Sequence, residues 1–198
     1  RVAAARTGAG AAGGIGAGSV NSFSNNSFFG YQSGYGITTG ASNVFMGYKA
    51  GYTNTTGNYN VYIGEQAGYT NSTGTGNTCV GYYAGQASTG ASNSFLGYAS
   101  GRNNSSGTAN TFSGYTAGYT NSTSSNNTGH GYQALYYSTG GNNTGIGMNA
   151  GFTNTTGTNN TCLGYAADVN ANNLSNATAL GNGAVAQGSN YVRVGNTS

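Results

Sequence analysis

The chain has 198 residues, of which 38 are Gly and 17 are Tyr, and it contains no Pro and no Trp. Charged residues make up 4% of the sequence, against roughly 25% in typical soluble domains, and the net charge is +3. The cations are dispersed, so they form no basic patch for nucleic acid or an anionic membrane surface. No apolar run approaches the roughly 20 residues of a membrane span. The abundance of aromatic residues also argues against disorder.

The chain begins with a Gly/Ala-rich stretch, residues 1–18, which offers little to pack. This stretch is expected to be a flexible lead-in or an extended segment that docks on a neighbouring subunit. Residues 10–25 contain a degenerate copy of the tandem repeat that fills most of the chain. There, Gly14, Ala17 and Gly18 occupy the fifth, eighth and ninth places of the repeat.

A tandem repeat of 16 or 17 residues occupies residues 10–175. The unit reads Asn-Thr-apolar-apolar-Gly-Tyr-x-Ala-Gly-Tyr-Thr-Asn-Thr-Thr-Gly-x-x, and its places are called position one to position seventeen below. Self-similarity at a short fixed period indicates a stacked repeat architecture. Nine clear copies start at Asn26, Asn43, Asn60, Asn77, Asn93, Asn110, Asn127, Asn143 and Asn160.

The unit predicts an all-β fold, a β-solenoid (β-roll) of about ten coils. Positions one to five and six to ten form two short segments rich in β-formers, with a period of two rather than 3.6. The Thr-Asn-Thr-Thr-Gly tail has the chemistry of a turn. Two strands and a turn per coil, with coils about 4.8 Å apart, give a rod about 48 Å long.

Each position of the unit then receives a structural role. The Asn at position one is predicted to form a ladder of amides, each bonded to its neighbours above and below. The Tyr at position six is expected to stack likewise, and the Gly at position five to allow a bend or a close backbone approach. Small residues at position eight would let two backbones or two subunits come close. The predicted ladder consists of Asn43, Asn60, Asn77, Asn93, Asn110, Asn127, Asn143 and Asn160.

Positions three and four are both apolar in most copies, although adjacent residues of a strand point to opposite faces. Two interpretations are open. An identical chain covers the second face, as in a trimeric rod, or the coil bends so that both residues reach one core. The pattern fades near Ser113, His130 and Gly145, where looser packing is expected. The predicted core or interface residues are Phe28, Phe45, Met46, Ile63, Cys79, Val80, Phe95, Leu96, Cys162 and Leu163.

The two cysteines, Cys79 and Cys162, both occupy position three and lie five repeats apart. Five coils separate them by about 24 Å, which is too far for an internal disulfide. They are interpreted as buried small apolar residues that replace Phe. A bridge to a neighbouring chain is the alternative.

The C-terminal residues 176–198 depart from the repeat, and Tyr191–Gly195 predicts a closing strand. The segment Asn176–Gly195 resembles the head repeats of trimeric autotransporter adhesins, in which small-x-Ala-apolar-Gly-x-x-Ala units wind into a trimeric left-handed β-roll. The upstream repeats resemble arrays in bacterial surface proteins and phage tail-fibre-like proteins, which often precede an intramolecular chaperone. The resemblance implies a homotrimer and an extracellular location, on a cell surface or in a virion tail fibre. The unit of 17 residues is longer than the adhesin head repeat.

The chain offers little for catalysis, and no catalytic residue, metal ligand or cofactor is predicted. His130 occupies a place that is apolar elsewhere and is interpreted as a tolerated core or interface variant. Glu65 and Asp168 lie six repeats apart, about 29 Å along a solenoid, so they cannot act as a carboxylate pair. No His, Cys, Asp or Glu cluster has the spacing of a metal site.

Glycans are the remaining candidate ligands. Sequons at position twelve fall on the predicted turn, where a sugar could be attached, although Asn and Thr are also ordinary turn residues. Exposed tyrosines could stack on sugar rings, or they could form only a structural ladder. The candidates for attachment are Asn54, Asn71, Asn121 and Asn154, and those for contact are Tyr48, Tyr98 and Tyr115.

The sequence therefore favours a structural role. The leading hypothesis is a subunit or shaft segment of a self-associating extracellular fibre, which assembles as a homotrimer, as an end-to-end polymer, or as both. The alternative is a glycan-binding adhesive module that uses Tyr, Thr and Asn faces. An enzyme would need acids or bases clustered on one face, and this sequence lacks them.

Overall fold

The computed structural model describes residues 11–18 and 25–196, which are all-β and contain no helix. Most coils contribute one strand of three residues, formed by positions two to four. The strands are β1 Ala11–Gly13, β2 Ser27–Phe29, β3 Val44–Met46, β4 Val61–Ile63, β5 Thr78–Val80, β6 Ser94–Leu96, β7 Thr111–Ser113, β8 Thr128–His130, β9 Thr144–Ile146, β10 Thr161–Leu163, β11 Asp168–Val169, β12 Thr178–Leu180, β13 Val185–Ala186 and β14 Val192–Val194.

Twelve of these strands form one parallel sheet in the order β1 to β10, then β12 and β14. The register pairs each position with the same position of the next coil, so that Phe45 lies between Phe28 and Tyr62. This arrangement is a β-solenoid, and its eleven steps of about 4.8 Å give a sheet about 53 Å long. The ladder continues without a break into the segment after residue 176.

The N-terminal stretch is only partly described. Residues 1–10 of the predicted lead-in lie outside the described residues. Ala11–Gly13 pairs with β2 of the same chain, which makes it the first coil of the solenoid. For residues 11–18, the expectation of a flexible segment or of docking on another subunit is therefore wrong.

The prediction of a second strand in each coil is also wrong for the regular repeats. Positions six to ten form turns, because positions seven and nine have left-handed backbones, as at Lys49 (φ 53°) and Gly51 (φ 58°). These turns still bond from coil to coil, since Gly51 N–H donates to Ala67 O at 2.9 Å. A short second sheet forms only near the C-terminal end of the described chain, where β11 pairs with β13.

The Gly at position five is required by two independent constraints. Gly47 has φ +137°, a conformation that L side chains rarely adopt, and a Cβ there would lie 2.5 Å from Gly64 O. The same close approach recurs at successive coils, for example between Gly30 and Gly47. The coils therefore stack at a distance that only a column of Gly permits.

The core is a thin column of side chains from positions three and eight. Phe45 and Ala50 are fully buried, and the Phe45 ring stacks on Phe28 at 5.2 Å and on Tyr62 at 4.9 Å. Position four points the other way, with Phe29 64% exposed and Leu96 55% exposed. Within one chain, the interpretation that both positions reach a single core is wrong.

The expected loose packing near β8 and β9 is compensated from another position. Gly129 and Gly145 occupy position three and supply no side chain to the core. Leu135, at position nine, where most coils have Gly, is buried and packs against Gly145 and Gly151. The core therefore remains filled where the repeat is least regular.

We expect Gly47→Ala to lower the free energy of unfolding by about 3 kcal/mol or more, because the new Cβ meets backbone and the φ is strained. The measurement is denaturant unfolding followed by circular dichroism. Gly76→Ala is the matched control. Gly76 also has positive φ (+70°), but a Cβ there meets nothing within 4 Å, so the cost should be about 1 kcal/mol. Equal losses for the two variants would contradict the close-approach argument.

Candidate functional site

The Asn side chains at position one connect successive coils inside the solenoid. Asn43 is fully buried, its N–H donates to Asn26 Oδ1 at 2.9 Å, and its own Oδ1 accepts the N–H of Asn60 at 2.9 Å. Its Nδ2 donates to Gly57 O at 2.8 Å. The main bond between coils thus runs from a backbone N–H to the side-chain oxygen of the preceding Asn. Two side-chain amides also bond to each other directly at Asn43–Asn26 and at Asn77–Asn60, both with an Nδ2–Oδ1 distance of 3.2 Å.

The amide ladder continues to the end of the regular repeats. The same bond from backbone N–H to the preceding Asn Oδ1 recurs at each coil and ends where Ala177 N–H donates to Asn160 Oδ1 at 2.9 Å. These side chains are buried, so they hold the coils together and are not accessible to a ligand. The ladder residues are Asn43, Asn60, Asn77, Asn93, Asn110, Asn127, Asn143 and Asn160.

The sequon asparagines at position twelve point inward, so N-linked attachment in the folded chain is contradicted. Asn54, Asn71, Asn121 and Asn154 are all fully buried. Asn121 Nδ2 donates to Asn104 Oδ1 at 2.8 Å and to Ser124 O at 3.0 Å, whereas both polar side-chain atoms of Asn54 are buried without a hydrogen-bond partner among the described residues. Since a glycan on such an amide would have to lie in the core, these positions are structural.

Two columns of stacked tyrosines follow the outside of the coils. At position six, Tyr98 lies between Tyr82 at 5.2 Å and Tyr115 at 4.9 Å, with nearly parallel rings. At position ten, Tyr52 lies between Tyr35 at 5.2 Å and Tyr69 at 5.1 Å. The ring edges reach solvent, while the ring faces cover one another.

This stacking limits contact with sugars. Stacking on a sugar ring needs a free aromatic face, and both faces of Tyr98 and Tyr115 are occupied by neighbouring rings. Tyr48 stacks on Tyr31 on one side at 5.4 Å, and the Lys49 ammonium lies 5.3 Å from the Tyr48 ring centre. The three tyrosines predicted as glycan contacts therefore present mainly edges and hydroxyls.

A second exposed feature is the outer face, defined here as the side chains of positions two and four of the twelve-stranded sheet. Position two is mostly Thr, Val or Ser, and position four is mostly large and apolar. A groove of about 310 Å³ opens at its N-terminal end beside Gly13 and is lined by Phe29, Val44 and Met46. Along position four, Ser113 and His130 interrupt the apolar row, and the exposed apolar members are Phe29, Met46, Leu96, Ile146, Leu163, Leu180 and Val194.

The predicted core or interface residues thus divide into two groups. Those at position three are buried: Phe28, Phe45, Cys79, Phe95 and Cys162. Those at position four lie on the outer face: Met46, Ile63, Val80, Leu96 and Leu163. His130 also lies there and is exposed.

The two carboxylates of the chain lie in different parts of the solenoid. Burial raises the pKa of Asp168. Its Oδ2 accepts the backbone N–H of Thr153 at 2.8 Å, so this carboxylate satisfies a backbone donor of the preceding coil. Glu65 is exposed and belongs to a different part of the solenoid. Among the residues described, no group of three or more His, Cys, Asp or Glu could hold a metal ion.

Comparisons with protein-family models, with curated proteins and with solved structures gave no match. Within residues 11–18 and 25–196, no helix has the length and apolar character needed to cross a membrane. The function therefore has to be argued from the outer face and the tyrosine columns.

We expect Asn110→Ala to lower the free energy of unfolding by about 2 to 4 kcal/mol, because Asn127 N–H and Ser124 O lose their buried partner. The control is Asn103→Ala in the preceding coil, since the Asn103 side chain is exposed. That change should stay within about 0.5 kcal/mol. Both are measured by denaturant unfolding, and a loss below about 1 kcal/mol at Asn110 would contradict the role of the ladder.

The two cysteines should be inert in the folded chain. Both are free and buried, and burial raises the pKa of the Cys79 thiol and raises that of Cys162 to about 12. Because the thiolate is the reactive form, a water-soluble disulfide reagent should label neither thiol at neutral pH and both after denaturation. Rapid labelling of the native chain would show that a thiol is accessible, as a bridge to a neighbouring chain would require.

Proposed function

We propose that this chain is a structural shaft segment of an extracellular fibre, in which identical chains associate side by side through the outer face. The observation that carries the proposal is the row of large apolar side chains at position four, which one chain leaves in solvent. Exposed apolar rows of this length are unusual on a monomer and are typical of interaction surfaces. The resemblance to trimeric adhesin heads supports three chains around a common axis.

A second copy of the same chain suits this face for a geometric reason. Its side chains recur at the same axial step of about 4.8 Å, so in a parallel arrangement each rung can meet an equivalent rung along the whole sheet. Position four carries no charged residue from Phe29 to Val194. Two copies of the row therefore meet without like-charge repulsion.

The size of the outer face supports the same proposal. Twelve strands give a length of about 53 Å, and a strand of three residues spans about 10 Å. The product is on the order of 500 Å² for each chain, so two such faces bury about 1,000 Å² in total, which is the size at which specific interfaces begin. The groove beside Gly13 would accept a bulky side chain from another copy.

The glycan-binding alternative receives less support, because the faces of the central tyrosines are covered and the sequon amides are buried. The extracellular setting, on a cell surface or in a virion fibre, remains part of the proposal. It is supported by the uncharged, repetitive composition and by the resemblance in the repeats.

Sedimentation and electron microscopy of the purified chain test lateral association. The wild-type chain should form elongated oligomers, and the double variant Met46→Glu/Leu96→Glu should be monomeric, because like charges would meet at the interface. Both residues are exposed in the single chain, at 46% and 55%, so the fold should be retained.

The matched control is Thr56→Glu/Ser106→Glu, which adds the same charge at exposed positions away from the outer face. It should keep the oligomer. A wild-type chain that stays monomeric at high concentration, or two variants that dissociate equally, would overturn the proposal.

A further inference from the structure

The tyrosine columns have a chemical property that a purely structural role does not require. In the longest run of position six, Tyr98, Tyr115 and Tyr132 follow one another with ring centres 4.9 and 5.3 Å apart. These residues are 45% to 47% exposed and their side chains lie on the outside of the coils, so the phenol groups reach solvent. Neighbouring phenols are thus accessible to an oxidant and are already in contact with each other.

The chain contains few competing targets for a one-electron oxidant. It has no Trp, and Cys79 and Cys162 are buried. Equivalent residues of adjacent coils have Cα atoms about 4.8 Å apart, close enough for the ortho carbons of two rings to meet once the side chains rotate so that the ring edges face each other. Holding two reactants at contact replaces a bimolecular encounter with a local one.

We propose that neighbouring tyrosines within these columns are sites of oxidative coupling to dityrosine, by a haem peroxidase that uses hydrogen peroxide. Each of two tyrosines gives up one electron and its phenolic proton, which leaves two tyrosyl radicals. The radicals join through a carbon–carbon bond between ortho carbons, and each ring regains its phenol as the ortho hydrogen moves to oxygen. One hydrogen peroxide accepts the two electrons and two protons and becomes two waters.

Each link would be a staple between successive coils. It would join residues 16 or 17 apart and close a loop of that length, as a disulfide would, which restricts the unfolded chain. Both cysteines of the described chain are free, so no disulfide links its coils. Dityrosine links would provide covalent cross-links between them. Coupling within a column leaves position four untouched, so the inference does not depend on lateral association.

The test is to treat the dilute chain with peroxidase and hydrogen peroxide and to map the products. Dityrosine fluorescence should rise, each link should remove two hydrogens from the mass, and digestion should yield cross-linked peptides. The expected links join Tyr82 to Tyr98, Tyr98 to Tyr115, Tyr115 to Tyr132 and Tyr52 to Tyr69. The oxidised chain should also unfold at a higher temperature than the untreated chain.

Two variants show whether coupling depends on stacking in a column or only on exposure of a tyrosine to solvent. Tyr115→Phe keeps a stacked ring but has no phenolic hydrogen, so the links to Tyr98 and Tyr132 should disappear while the link from Tyr52 to Tyr69 persists. Tyr59 is the control, because it is 68% exposed and has no ring contact among the described residues. Tyr59→Phe should leave the yield of column links unchanged.

A mixture of isotope-labelled and unlabelled chains shows whether the links form within one chain. Links found only within chains of one label, at a separation of 16 or 17 residues, support the proposal. Mixed-label links centred on Tyr59 would overturn it. So would columns that stay uncoupled while free N-acetyltyrosine dimerises in the same reaction.

Discussion

The constraint on which this structure depends is that each side chain lies directly above and below its equivalent in the next coil. A residue type is therefore acceptable only if it tolerates copies of itself at about 4.8 Å. Amides, aromatic rings and hydroxyls satisfy this condition, but like charges do not. The near absence of charge follows from stacking, and the exceptions agree with it. Lys49 lies between two uncharged Gln residues in its column. Arg102 lies between Gln86 and Tyr119 and donates a hydrogen bond to each of them.

The same constraint explains how the chain accommodates its irregularities. Gly129 and Gly145 supply no side chain to the core column; the Phe112 ring of the preceding coil covers Gly129, and space remains at Gly145. Leu135 fills it from position nine and accepts a left-handed backbone (φ 52°) that other coils assign to Gly. The repair is local because a coil contacts chiefly its two neighbours.

Much of the fold could be predicted from the sequence because a repeat reveals which residues must superimpose. The coil length, the amide column and the Gly column follow from the spacing of Asn26, Asn43 and the later asparagines. That positions six to ten form turns and not a second strand could not be predicted, since left-handed residues such as Lys49 and Gln66 carry no sequence signal in a single copy. The burial of Asn54 was also missed, although its place between two outward Thr residues gave an alternation that indicated it. The recurrence of Tyr at position six does predict that the ring faces of Tyr98 are covered by its neighbours, as the structure has them.

In-register stacking also makes the coil a unit of length. Inserting or removing one whole unit would leave every column continuous and would change the rod by about 4.8 Å. Length is then set by the number of copies in the gene and not by any particular residue. Recombination between neighbouring copies can therefore lengthen or shorten the rod in steps of one coil.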